Sequence, residues 1–199
     1  MKVKIKKEGK VETFKLINSW SDVTLSTWLQ LIDFETGTKT EEATETIAAL
    51  SNIPKQLVKE LALSDVAVIM SKIGELQEKK DTKLKRIIEI NDVEYGFHPD
   101  LDSISLGEYA DIEQFIKNGI DSSLPELMAV LYRPVKLKKN DIYIIDAYDG
   151  DIRLRAEEMK QMSAEQVQSA LVFFYTLGKV LSEILPLYLM ERLKETKMQ

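Results

Sequence analysis

Cysteine is absent from this 199-residue chain, and histidine occurs once, at His98. There can be no disulfide, no thiolate metal site and no cysteine nucleophile. With one imidazole, zinc and catalytic-triad chemistries lack their parts. Glycine is also scarce: none of the eight stands in a GxGxxG or GxxxxGK spacing, so no phosphate-cradling loop is encoded. Basic charge is not in excess. Twenty-seven Lys and Arg face 33 Asp and Glu, a net charge of −6, which argues against general affinity for nucleic acid or anionic lipid. Residues 1–10 alternate lysine with Val and Ile and so lack the apolar centre of a signal peptide. Residues 170–190 approach membrane-span length. However, Lys179 and Glu183 near their middle would each cost about 2.5 to 3.5 kcal/mol, and Pro186 adds a break, so a buried helix or interface is the expected reading.

At 44% hydrophobic residues the chain can build a sizeable core. Its longest apolar periodicity runs over 163–197. Ser163-Ala-Glu-Gln166 has the form of a capping box, with Met162 and Val167 placed as a hydrophobic staple. Val167, Ala170, Leu171, Phe174, Leu177, Leu181, Ile184 and Leu185 recur at three- and four-residue steps, and Pro186 predicts a kink near Ser182.

Earlier in the chain, Val3 and Ile5, then Glu8-Gly9, then Val11, Thr13 and Leu16 predict a lysine-edged hairpin. Thr24 caps a following helix, with Val23 stapled onto Trp28. Helices capped at Thr40 and beginning at Pro54 and Ser64 make a small helical subdomain; the last is to carry Val66, Val68, Ile69, Ile73 and Leu76 inward. Lys79, Lys80, Lys83, Lys85 and Arg86 read as a solvated linker, with docking onto an acidic partner or nucleic acid as the alternative. A second hairpin turns at Asn91-Asp92, and a second helix follows over 102–115. Val23-Thr24-Leu25 through Trp28 to Phe34 and Ile104-Ser105-Leu106 through Tyr109 to Phe115 share their order of staple, cap, Leu, aromatic and Phe, a weak internal repeat in which Trp28 and Tyr109 are core residues. A helix from Ser123 must stop before Pro134. Residues 136–140 read as a polar loop, Ile142-Tyr143-Ile144-Ile145 as a strand, Tyr148-Asp149-Gly150-Asp151 as a turn and 152–159 as a short helix or strand. The expected fold class is α+β, mainly helical: two hairpin-plus-helix units, a helical subdomain and a long kinked C-terminal helix. One compact unit of two lobes is expected, divided as 1–80 and 81–199.

Sites are few. His98-Pro99-Asp100 copies the J-domain tripeptide, but it follows a predicted strand where a J-domain has a basic helix, so it reads as a turn. Asp146, Asp149 and Asp151 do not fill the alternate oxygen positions of a calcium loop in either register. Arg133 is expected to pair with an acid in 146–151. Asp111 and Glu113 lie two apart on a helix and share no face. No catalytic residue, cofactor or metal is expected, and the chain reads as a non-enzyme.

Ser19-Trp20-Ser-Asp-Val-Thr-Leu25, Ser105-Leu-Gly-Glu-Tyr-Ala-Asp-Ile-Glu113 with Leu131-Tyr-Arg-Pro-Val135, and Tyr148-Asp-Gly150 followed by Ala170-Leu-Val-Phe-Phe-Tyr-Thr-Leu-Gly178 together resemble a group of tailed-bacteriophage morphogenesis proteins. The opening hairpin and W-x-x-V-T-L helix are similar to tail assembly chaperones. The resemblance implies binding of other phage proteins, the tape measure or neighbouring virion proteins, in the host cytoplasm, or else a structural role retained in the virion as a neck, ring or capsid-associated protein. Homo-oligomers would fit; nucleic acid and membrane would not be partners. The candidate partner interface is Phe173, Phe174, Tyr175, Leu177, Leu187 and Tyr188, with intramolecular core as the alternative for the same residues.

Overall fold

The lysine-alternating start folds as expected. In a computed structural model that describes residues 1–7, 10–34, 37–77 and 83–172, β1 (Lys2–Lys7) pairs antiparallel with β2 (Lys10–Lys15), Val3 opposite Phe14 and Ile5 opposite Glu12. Leu16 and Ile17 then bond back to Met1 and Leu50, which ties the hairpin to the helices behind it. Thr24 caps α1 (Leu25–Phe34), its hydroxyl accepting from Thr27 N–H at 3.2 Å. α2 (Lys39–Ala49) starts two residues earlier than its threonines suggested. Thr38, not Thr40, is the cap, because only Thr38 has an acid at the reciprocal third position: Glu41 N–H donates to its hydroxyl, and the Glu41 carboxylate takes Thr38 N–H at 3.1 Å. α3 (Lys55–Lys59) and α4 (Leu63–Gln77) complete this half. Val68 faces solvent, on the side of α4 opposite Ile69 and Ile73.

The second sheet has four antiparallel strands in the order β3-β4-β5-β6. β3 (Ile87–Ile90) turns into β4 (Val93–Phe97) through Asn91 and Asp92, both at positive φ (51° and 62°), the backbone that a two-residue hairpin turn demands. A 3-10 turn (Leu101–Ser103), α5 (Leu106–Asn118) and α6 (Leu124–Leu131) lead to β5 (Tyr132–Lys139), which turns at Asn140-Asp141 into β6 (Ile142–Ile145). The expected loop over 136–140 is therefore mostly strand. Two of its three lysines, which masked the alternation, find an acid: Lys138 bonds Glu94 at 2.5 Å, and Lys136 lies 3.7 Å from Asp146. Pro134 is tolerated because it keeps its acceptor, which takes Asp146 N–H at 3.0 Å, next to a register shift between Val135 and Leu137. At Gly96 the Tyr143 ring crosses β4 so closely that a Cβ would stand 2.5 Å from it, and the Tyr143 hydroxyl donates to Phe97 C=O at 2.6 Å. Residues 152–159 resolve as helix, α7 (Arg153–Met159).

Burial falls into two clusters. One gathers Ile5, Leu16, Val23, Ile47, Leu50, Ile53, Val58, Ile69 and Ile73; the other joins the four-stranded sheet to α5, α6, α7 and the closing helix through Phe97, Tyr132, Leu127, Met128, Met159, Met162 and Val167. They meet at a backbone exchange. Leu25 N–H donates to Met162 C=O and Ala164 N–H to Val23 C=O, both at 2.7 Å, and half-buried Trp28 packs against both clusters. The Ser163 capping box forms as read, with Gln166 N–H on the hydroxyl at 3.2 Å and Ser163 N–H on the Gln166 side chain at 3.1 Å. The helix is described over 164–172; the predicted kink at Pro186 lies outside the described residues.

The two hairpin-plus-helix units match in their caps and differ in their packing. Leu25 is fully buried, whereas its counterpart Leu106 is 83% exposed. Tyr109, expected in the core, is 44% exposed. α5 turns Glu108 and Ile112 inward, and Tyr109 lies about 100° around the helix from Glu108.

Candidate functional site

Two features stand out among the described residues: a buried ionic cluster and an apolar sheet edge. The cluster begins at a helix start. Ser105 caps α5 through a hydroxyl that accepts Glu108 N–H at 3.3 Å, and one Glu108 oxygen accepts Ser105 N–H at 2.7 Å. The other Glu108 oxygen faces Arg133 Nη2 at 2.8 Å and His98 Nε2 at 3.5 Å, and all three residues are buried. β4 and β5 supply the partners. Arg133 stands opposite Gly96 in the β4–β5 register, and His98 follows the last residue of β4, its N–H held by Leu131 C=O at 2.7 Å. Tyr148 closes the outside, its ring 5.8 Å from the Arg133 guanidinium carbon and its hydroxyl on the Asp111 carboxylate. Arg155 of α7 donates to Ala129 C=O at 2.7 Å and approaches Asp149 at 3.8 Å.

Arg133 was expected to pair with an acid in 146–151. It pairs with Glu108 instead, and meets that segment through the Tyr148 ring, because β5 carries it inward under the loop. The turn at 148–151 forms as read, Asp151 N–H bonding the Asp149 side chain at 3.1 Å and Gly150 taking positive φ. His98 leaves a strand as expected, with its ring turned into the protein.

Burial sets the charge states. It pushes the His98 imidazole below its usual pKa, with Arg133 acting in the same direction and Glu108 and Asp100 against. Burial alone would raise Glu108; hydrogen bonds from the Ser105 hydroxyl and backbone, then Arg133 and His98, overcome it and hold the carboxyl below its usual range. Burial and the bond to Asp111 push the Tyr148 phenol up. At neutral pH the centre therefore holds one carboxylate against one guanidinium beside a neutral imidazole. Such an arrangement locks β4, α5 and β5 together, and its carboxylate is already engaged on both oxygens. Among the described residues no three His, Asp or Glu gather as metal ligands, and no helix is long and apolar enough to cross a membrane.

The second feature is the β5–β6 hairpin. Leu137 pairs with Ile144, and with Ile142 they put three aliphatic side chains on one face at 65%, 55% and 77% exposure, while Tyr143 points to the other face and is buried. β6 is the end strand of its sheet and carries neither a charge nor a proline. Edges are ordinarily guarded by charge, proline, a bulge or short length, and β6 has only the last two: four residues, beside the shift at Val135 and Leu137.

The six residues named as a partner interface, Phe173, Phe174, Tyr175, Leu177, Leu187 and Tyr188, lie outside the described residues. Sequence alone does not mark the cluster or the hairpin patch as a site. Signals for each exist in Ser105-x-x-Glu108, the capping-box form, and in the uncharged run 142–145. Comparisons with protein-family models, curated proteins and solved structures return no match.

Proposed function

We propose that this chain is a non-enzymatic tailed-phage morphogenesis protein that binds other phage proteins during tail or virion assembly, as a tail assembly chaperone does. The observation that supports a binding role is the uncharged β6 edge with Leu137, Ile142 and Ile144 exposed beside it. An extended apolar segment of a client can add to such an edge, with main-chain bonds supplying affinity and alternate side chains resting on the aliphatic face. The phage assignment rests on the resemblance of the Trp20, Ser105 and Ala170 stretches. On this reading the chain works in the host cytoplasm, without cofactor, nucleic acid or membrane.

Quantitative mass spectrometry of purified particles against infected-cell lysate tests the assembly role. Abundance in lysate with absence from particles is expected. A fixed copy number in particles would make the protein a retained structural component instead. The surface is tested by Ile144→Lys, which places a guarding charge on an exposed position. It should leave the melting temperature within a few degrees and abolish co-purification with the co-expressed tape measure protein; undiminished co-purification would remove the β6 edge from the binding role.

A further inference from the structure

We infer that β6 pairs with β6 of a second copy of this chain, antiparallel about a twofold axis at Ile144, so that the two four-stranded sheets join into one. The register decides which main-chain groups are free to do this. The two-residue turn at Asn140-Asp141 makes Lys139 and Ile142 a hydrogen-bonded pair, and Asp146 N–H donates to Pro134 C=O at 3.0 Å. Ile142, Ile144 and Asp146 thus direct their amides at β5. Tyr143 and Ile145 direct theirs at the outer edge, where no described strand pairs with β6. About an axis at Ile144, Tyr143 of each copy meets Ile145 of the other, and each such pair exchanges both of its N–H···O=C bonds.

Side-chain chemistry along this register suits a second copy. Ile144 stands against itself, so the aliphatic trio of one chain adjoins that of the other, and side chains 55 to 77% exposed in the single chain gain apolar neighbours. β6 has no charge to repel its own image, and Asp141 falls opposite Ala147, so no acid opposes an acid. The flanking charges are complementary. A row on the aliphatic face runs from Lys139 on β5 through Ile142 to Asp146 of the second copy, two strand spacings or about 9 to 10 Å away. A lysine and an aspartate side chain together bridge that gap, and the axis repeats the row at the other end. Among the described residues Lys139 makes no ion pair, and Asp146 meets only Lys136, at 3.7 Å. Four residues of strand make an interface at the small end of specific ones, so monomer and dimer exchange. This pairing does not rest on the proposed function, but the edge is the same: a client strand there takes the place of the second copy.

The absence of cysteine allows the register to be tested directly. In this pairing the Cα atoms of the two Ile144 residues face each other at about 4.5 Å, within the span of a disulfide. Those of the two Ile142 residues are four positions out of step, about 13 Å apart or more, and cannot be bridged. Single-cysteine variants Ile144→Cys and Ile142→Cys of the full chain, oxidised with copper phenanthroline, are read as covalent dimer on a non-reducing gel. Ile144→Cys should cross-link about tenfold faster or more, the reverse of what random collision gives, since Ile142 is 77% exposed and Ile144 55%. Sedimentation of the unmodified pure chain from about 1 μM to about 1 mM should show the mean mass rising toward that of two chains. Ile144→Lys sets two cations on the axis and should weaken association by about tenfold or more. Equal or faster cross-linking of Ile142→Cys, a single-chain mass at every concentration, or association that Ile144→Lys leaves unchanged would overturn the pairing. Should a variant fail to fold, a single-chain mass for the unmodified protein still refutes it. Only pure protein is used, so loss of the dimer and loss of client binding are read separately.

Discussion

Gly96 and Glu108 show how far one side chain can be constrained. At Gly96 an added methyl would stand 2.5 Å from Tyr143 Cε2 and 2.7 Å from Ile145 Cγ2. The ring is held by its hydroxyl bond to Phe97 and cannot simply turn away. Gly96→Ala should cost about 1 to 3 kcal/mol in a urea melt, as overpacking does; an unchanged midpoint would mean that the ring is free to move. Glu108→Gln removes the anion and strands a buried guanidinium, with an expected loss of about 3 to 5 kcal/mol at pH 7. The pH profile follows from two depressed groups. The unfolded chain takes up a proton on His98 below about pH 6.5 before the folded one does, so stability starts to fall there; Glu108 adds a second loss as pH drops below about 4.3. The Gln variant should keep the first limb and lose the part of the second that Glu108 supplies, as chemical denaturation from pH 8 to 3 would show.

Elements were legible where local chemistry decides them. The caps at Thr24 and Ser163 and the turn at Asn91-Asp92 rest on residues within four positions of one another, and each formed as read. β5 was not legible, because its extension depends on acids that lie far away in sequence, Glu94 and Asp146, and on a partner strand that supplies the pairing. Tyr109 failed for a related reason: a shared cap fixes where a helix starts and says nothing of which face turns inward, and α5 turns its ionic face in. The cluster itself was half legible, its cap written in Ser105 and Glu108 and its Arg133 arriving only through the β4–β5 register. The Asn91-Asp92 turn also yields a prediction. Asp92 sits at φ 62°, the position that this turn type gives to glycine, so relief of side-chain strain should outweigh glycine's larger unfolded-chain entropy and Asp92→Gly should raise stability, by less than about 1 kcal/mol. A lower melting temperature for this variant would show that the Asp92 side chain contributes to the turn.

At the scale of the molecule the question is whether two apolar clusters make two folding units or one. Their meeting line is not a linker. Residues 23–26 and 160–164 exchange three backbone hydrogen bonds, Leu25 to Met162, Ala164 to Val23 and Ser26 to Lys160, and the same short segment sends Val23 into one cluster and Leu25 into the other. Melting either half alone would expose the partner face of Trp28 and leave those buried backbone groups unpaired, each at a cost comparable to a lost hydrogen bond. Both terms favour one cooperative transition. Trp20 packs against the first cluster alone, so in a Trp28→Phe background its fluorescence reports that half. Leu127 belongs to the other cluster and is 1% exposed. Leu127→Ala should cost about 2 to 5 kcal/mol, and if the seam couples the halves the Trp20 transition shifts with the far-UV signal and the two curves superimpose. A Trp20 transition that stays in place while the far-UV curve moves would show two independent units, with the seam a contact made only after each has folded.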